Sequence, residues 1–186
     1  ELNLYDGKAD RYFSGSPVPL AEDLRTWSLG ETEAISSVTY PRERPYHVEL
    51  SPEKTLPYEL ETIEIDTCYN KIFTPEMVAG HWKMASQSLN SVILSQSMAI
   101  KIFGNAESAI GKHMTLMRRL NTSPESTPKT GGIVYTIQAV MKDIPLNNSL
   151  DFMQNIDMLT VNDSEGLLQS PKRYNMTGAN TYVLLS

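Results

Sequence analysis

Hydrophobic positions in this chain follow two spacings, and the change from one to the other is sharpest at Ser95. Val92, Ile93 and Leu94 form a continuous apolar run, the pattern of a strand covered on both faces. Met98, Ala99, Ile102 and Phe103 then recur at helical spacing and make one apolar stripe. Ser95 lies between the two and suits an N-cap, because its hydroxyl can accept from a free backbone N–H of the first turn. Gly104 follows the stripe as a stop with positive φ, and Gly111 and Lys112 open the next strand.

The same spacings predict elements elsewhere. Leu20, Leu24 and Trp27 stand at i, i+4 and i+7, giving a helix over Pro19 to Trp27 with Glu22 and Asp23 near its positive end. Tyr46, Val48 and Leu50 alternate with His47 and Glu49 as a half-buried strand. Between Tyr58 and Asp66 the apolar set changes parity, from Tyr58 and Leu60 to Ile63 and Ile65. A bulge or a change of strand partner accounts for that. Tyr69 to Gly80 reads as a helical turn and loop around Ile72, Phe73, Met77 and Val78. Met114, Leu116 and Leu120 alternate, as do Ile133, Tyr135, Ile137, Ala139 and Met141, and the two strands are expected to pair as a hairpin. Their connector, Asn121 to Gly132, is Ser/Thr/Pro-rich and longer than the usual ~2–5-residue hairpin loop, so it is expected to be mobile. Leu150 to Val161 fits strand or helix, and Tyr182 to Leu185 reads as a buried strand. No internal repeat is visible. Many strands with few helices give an α+β fold. The predicted core is Leu20, Leu24, Trp27, Ile93, Met98, Ile102, Phe103, Ile133, Ile137 and Val183.

Composition narrows the function classes. At 186 residues, 40% hydrophobic and 20% charged, the chain fits one large domain or two small subdomains. The net charge is −6 and no basic residues cluster, which argues against nucleic acid and anionic membrane surfaces as partners. Cys68 is the only cysteine, so neither an intrachain disulfide nor a thiolate zinc cage can form. A half-buried strand residue is its simplest reading. No window approaches the roughly 20 apolar residues of a membrane helix, and the start ELNLYDGKADRYF lacks the pattern of a signal peptide. The chain is expected to be soluble as given and to be a fragment, since Glu1 is not an initiator methionine and Ser186 ends a strand-like run.

Candidate chemistry is sparse. Gly104 and Gly111-Lys112 do not have the spacing of a phosphate loop. His47, His81 and His113 are scattered. His47 and Glu49 share a strand face and could begin a metal site, or simply face solvent. Glu59, Glu61, Glu64 and Asp66 form an acidic strip. It reads as paired carboxylates for glycoside hydrolysis, or as an acidic solvent face that discourages edge pairing. Ser95 lacks a nucleophile elbow, and Asp143 before Ile-Pro suits a turn. Sequons at Asn121, Asn147, Asn162 and Asn175 would mean surface glycans in a eukaryotic secreted protein, or are chance occurrences in Asn/Ser-rich loops. Most of the nine methionines read as packing. No catalytic, cofactor-binding or metal residue is assigned.

In order along the chain, six segments resemble the extracytoplasmic core domain of MacB/FtsX-type ABC transporter permeases. They are Tyr5-Asp6 with Ala9-Asp10-Arg11; Pro19-Leu20 into Asp23-Leu24; Ile65-Asp66 through Phe73 to Gly80; Ser91 to Lys112; Tyr135 to Pro145 with Asn148-Ser149; and Thr181 to Leu185. Ala139 stands where that family usually has glycine, and the Asn121–Gly132 connector is longer than typical. The resemblance implies one extracytoplasmic core domain over residues 1–186, an α+β ectodomain in two parts. Residues 1–62 would be a porter-like first half, 63–178 a mostly β insertion, and 179–186 the start of a return to the porter-like half. It implies a place on the periplasmic face of a bacterial inner membrane, with ATP hydrolysed in a separate cytoplasmic domain or subunit. The implied partners are a second permease copy, the ATPase subunit through the membrane part, and an envelope adaptor protein, with the isolated domain mainly monomeric. Contact would fall on loops far from the membrane connections, at Ser123, Glu125, Lys129, Asn148 and Asp163.

Two other functions fit the same residues. A free-standing cell-surface ligand or glycan-binding module would carry a lipoprotein signal and no further membrane span. A small hydrolase would line a deep pocket with the carboxylates of Glu59 to Asp66.

Overall fold

A computed structural model describes residues 4–6, 11–13, 15–17, 19–27, 30, 32–88, 90–117, 132–144, 153, 155–161 and 177–185. In chain order the strands are β1 (Leu4–Asp6), β2 (Arg11–Phe13), β3 (Ser16–Pro17), β4 (Thr32–Thr39), β5 (Arg42–Ser51), β6 (Lys54–Ile65), β7 (Met77–Gly80), β8 (Ser91–Ser95), β9 (His113–Met117), β10 (Gly132–Met141), β11 (Met158–Val161) and β12 (Thr177–Leu185). The helices are α1 (Leu20–Thr26), α2 (Tyr69–Phe73), α3 (Trp82–Gln87) and α4 (Gln96–Phe103), with a 3-10 turn at Glu107–Ala109. The α+β class expected from the sequence is the class observed. The chain forms two compact units, one of Glu1–Tyr40, Ile63–Pro75 and Val161–Ser186, the other of Pro41–Thr62 and Glu76–Thr160.

The larger unit is a sheet that closes on itself. β5 pairs antiparallel with β6 and β9, β9 antiparallel with β10, and β10 parallel with β8. β11 pairs with both β8 and β6, so the circuit returns to its start. Every strand of the circuit sends side chains into one core: Tyr46 and Val48, Leu60, Met158, Val92 and Leu94, Tyr135 and Ile137, Met114 and Leu116. α4 adds Met98, Ala99 and Ile102 to that core. The hairpin expected between β9 and β10 is present, with Met117 opposite Gly132 and His113 opposite Thr136. The β10 register shifts between Ile137 and Ala139. Val140 then joins Tyr135 and Ile137 in the core, where strict alternation points to Ala139 and Met141. The segment after Phe73 holds a strand, β7, and is followed by helix α3. β7 pairs with the end of β10.

The parity change in β6 is a change of partner. Its ladder with β5 ends at Thr62, and Ile65 pairs with Val38 of β4 instead. In the smaller unit β4 also pairs antiparallel with β12 from Thr39–Ala179 to Thr32–Leu185, and β3 joins the start of β12. β1 and β2 form a separate two-stranded pair.

The core assignment holds for Ile93, Met98, Ile102 and Ile137, which are buried; Leu20, Leu24, Phe103 and Ile133 are half-buried. It fails at Trp27 and Val183, which are 65% and 41% exposed. Trp27 is the C-cap of α1, beyond its last helical residue. The residue that α1 buries is Ala21, and Arg25, one turn on, anchors the helix to β4. The inward face is therefore turned about 100° from the leucine stripe, one residue's rotation. On β12, Phe73 of α2 packs edge-on against Tyr182, so Val183, which alternates to the other side, is left outside that contact.

Two substitutions test this packing by urea unfolding. Ile102→Ala is expected to lose about 2–5 kcal/mol, and Phe103→Ala less, since Phe103 keeps contact with solvent. Gly80 and Gly104 separate steric from conformational cost. Both have positive φ, but a Cβ on Gly80 would stand 2.2 Å from the Gln138 carbonyl oxygen, while one on Gly104 meets nothing within 4 Å. Gly104→Ala is expected to cost about 1–2 kcal/mol, the strain of the left-handed backbone alone. Gly80→Ala is expected to cost clearly more, and equal losses would refute the close β7–β10 approach.

Candidate functional site

The strip from Ser91 to Lys112 shows how its residue types produce its geometry. All five residues of β8 are buried. The Ser95 hydroxyl accepts from the Met98 N–H at 3.3 Å, and the Asp143 carboxylate accepts from the Ser97 N–H at 3.0 Å, so two of the free donors at the start of α4 are met. Gly104 ends the helix at φ 86°, with its N–H on the Ile100 carbonyl. Gly111 N–H donates to the Ile137 carbonyl, and the Lys112 carbonyl accepts from the Ile137 N–H. The Gly-Lys pair thus sets β10 in place. Ser95 and Asp143 are both helix-capping groups.

The acidic strip does not act as one surface. Glu59 is exposed and Glu61 and Glu64 are half-buried, but Asp66 is 4% exposed. The reading of the strip as a solvent face is therefore corrected at Asp66. One oxygen of its carboxylate accepts from the Ser36 hydroxyl at 2.9 Å and the Cys68 N–H at 3.0 Å. The other accepts from the Ser37 N–H at 2.7 Å and from the Arg25 guanidinium. Four donors leave that carboxylate with no lone pair to offer a substrate. Nor is β6 an edge, since β5, β4 and β11 all pair with it.

Arg25 also holds the Ile35 carbonyl at 2.9 Å and Glu22 at 2.9 Å. Burial alone would lower its pKa; Asp66, Cys68 and Glu22 more than offset that, so the guanidinium is held above its ordinary range. Tyr69 stacks on Phe73 with ring centres 4.7 Å apart, and burial, with Tyr182 adding to it, pushes its hydroxyl pKa far up. Asp157 is raised by burial, against the lowering effects of the Glu61 N–H and Lys101 and with a further rise from Glu43.

His47, His81 and His113 are all exposed, and His113 Nδ1 meets the Thr136 hydroxyl at 3.3 Å. Among the described residues no three His, Cys, Asp or Glu side chains gather as a metal site. Cys68 is a half-buried thiol at the start of α2. The loop positions Ser123, Glu125, Lys129, Asn148 and Asp163 lie outside the described residues. The exposed apolar side chains that are described are Trp27, Val183 and Leu185 in the smaller unit and Val78, Met84, Ile100 and Val134 in the larger. Pattern reasoning missed the Arg25–Asp66 pair. Its signal was a lone Arg on the helix and a lone Asp closing a strand, too common to single out.

Asp66→Ala leaves the half-buried Arg25 with Glu22 alone as counter-charge and strips the buried Ser36 hydroxyl and Ser37 N–H of their acceptor. Unfolding in urea is expected to show a loss of about 3–5 kcal/mol, against little change for the exposed Glu59→Ala.

No protein-family model matches this sequence, and no curated protein matches it. Solved structures do. A domain of a "putative Permease protein" from Porphyromonas gingivalis superposes with a TM-score of 0.65 at 22% identity, over 94% of this chain and 70% of that one. The periplasmic region of MacB from Actinobacillus actinomycetemcomitans gives 0.59 at 15% identity, over 99% and 72%. The extracellular domain of the noncanonic ABC-type transporter YknZ from Gram-positive bacteria gives 0.50 at 14% identity, over 89% and 72%. At these identities the likeness is one of fold, and the fold of this chain is the one found in the periplasmic region of MacB and the extracellular domain of YknZ.

Proposed function

We propose that this chain is the extracytoplasmic domain of an ABC transporter permease in a bacterial envelope, working through protein contacts while ATP is hydrolysed in a separate cytoplasmic domain or subunit. The observation that carries the reading is the fold likeness to three transporter or permease domains, over 89–99% of this chain. Six family-like segments in order support it independently of the superposition. The buried, fully bonded state of Asp66 weighs against the hydrolase alternative. No helix among the described residues is long and apolar enough to cross a membrane.

On this reading the working partners are a second permease copy, the ATPase subunit reached through the membrane part, and an envelope adaptor. In place of the expected division at residues 62 and 178, the porter-like part on this reading is the unit of Glu1–Tyr40, Ile63–Pro75 and Val161–Ser186, and the mostly β insertion is the unit of Pro41–Thr62 and Glu76–Thr160. The contact loops are those bearing Ser123, Glu125, Lys129, Asn148 and Asp163. A membrane tether raises the effective concentration of a second copy to the order of mM, so the contact need not be strong in free solution. This chain alone is therefore expected to sediment mainly as a monomer and to show no saturable ATP binding by calorimetry. ATP binding lost on Lys112→Ala would overturn the non-catalytic reading. A tight dimer of the isolated chain would count against the tethering argument. In the full-length transporter, deletion of Ser123 to Thr130 is expected to weaken transport and partner crosslinking; unchanged values would remove that loop from the interface.

A further inference from the structure

Among the described residues, three that are not glycine adopt a positive φ: Thr74, Asn90 and Asn155. Asparagine tolerates the left-handed region, because its short polar side chain can bond locally. Threonine tolerates it poorly, since its branched Cβ crowds the backbone there. Thr74, at φ 39° and ψ 57°, is the C-cap of α2, a left-handed position that helices usually give to glycine or asparagine.

The residue that follows limits how this strain can be relieved. Pro75 disfavours a right-handed helical conformation in the residue before it, so Thr74 cannot relax by adding one more residue to α2. What remains is the left-handed turn or extended backbone, and a β-branched residue favours the second.

The turn is held from both sides. On the α2 side the Thr74 N–H donates to the Asn70 carbonyl at 3.2 Å. Phe73 stacks on Tyr69 with ring centres 4.7 Å apart and meets Tyr182 of β12 edge-on at 4.9 Å. The Cys68 N–H, at the start of α2, donates to the Asp66 carboxylate. On the β7 side the Glu76 carbonyl accepts from the Lys142 N–H at 2.9 Å, and the Glu76 carboxylate meets Lys142 Nζ at 3.1 Å. Met77 then pairs with Met141 in the β7–β10 ladder. Thr74 itself is exposed, so its own side chain does little to hold the turn. Strained backbone persists where its surroundings over-determine it, and here the anchors on the two flanks do so.

We propose that the Thr74–Pro75 link is a strained strap with two states: left-handed while Phe73 and Glu76 are both anchored, extended once either anchor is released. The chain passes from the smaller unit to the larger one between Pro75 and Glu76. A partner that draws on α2 or on β7 would be helped by release of the strain. That use rests on the proposed function; the strap itself does not.

The test is amide hydrogen exchange at residue 74 in this chain, corrected for intrinsic rates, for wild type and Thr74→Asn. Asparagine keeps the turn with little of its cost. Protection is therefore expected to rise roughly 5- to 30-fold, the factor that corresponds to the left-handed penalty of one residue. Unchanged or lower protection overturns the proposal. Phe73→Ala then releases one anchor. The backbone carbon shifts of residue 74 are expected to move to extended values in Phe73→Ala, and to stay left-handed when Thr74→Asn is combined with it. The same conformation in both overturns the two-state strap. Should Phe73→Ala not fold, Phe73→Leu removes the ring contacts with less loss of volume and gives the same reading. Neither measurement involves transport, so failure of the strap and failure of the permease reading are distinguishable.

Discussion

Closure of a sheet is a demanding constraint, because the last pairing is determined by all the others. In the larger unit β6, β5, β9, β10, β8 and β11 each have their register set by a neighbour, and β11 must satisfy β8 and β6 together. A one-residue slip anywhere would turn a strand's apolar side chains outward. The reward is a core fed by all six strands and no exposed edge along the circuit. α4 can pack against that core only because Ser95 and Asp143 supply acceptors for its first turn, while Gly104 lets the chain reverse at once. Capping and glycine geometry are here conditions for core packing, and the register shift in β10 lets Val140 join that core beyond Ile137.

The smaller unit depends on a polar contact instead. Asp66 follows the last residue of β6 and gathers β4 through Ser36 and Ser37, α1 through Arg25 and the start of α2 through Cys68. Arg25 then chooses which face of α1 turns inward. An ion pair with a buried carboxylate and a half-buried guanidinium adds little net stability over an apolar pair of equal volume, but breaking it is costly. Its consequence is orientational. With the helix held by its arginine, Ala21 is buried and Trp27 is left at the surface.

How much of this was legible in the sequence follows from the range of each signal. The strand, cap, stripe and stop of residues 92–104 are encoded within a few residues of one another, and they read correctly. So did the alternation of β5 and the partner change in β6, where parity itself records the change. Trp27 and Val183 were misread because their exposure is decided by Arg25 reaching Ile35 and Asp66, and by Phe73 reaching Tyr182, contacts across 10, 41 and 109 residues. Asp66 was misread for the same reason: alternation sees a polar residue at a strand end, not four donors arriving from other elements. α3 went unread because Trp82 to Gln87 carries no apolar stripe of its own. The candidate contact positions, Ser123 among them, lie in segments outside the described residues.

Several of the residues that carried the resemblance to permease ectodomains have architectural roles. Gly80 admits β10 at a distance no side chain tolerates, Gly111 and Lys112 pair with Ile137, and Ser95 caps α4. Such residues are constrained by backbone geometry, so a fold can retain them while its exposed positions change freely. Such constraint is compatible with a likeness of fold at an identity of 14–22%. It also separates two questions that the resemblance joins. The glycines, caps and buried aspartate specify how the domain is built. Any partner contact would have to be specified by exposed side chains, which no backbone constraint preserves.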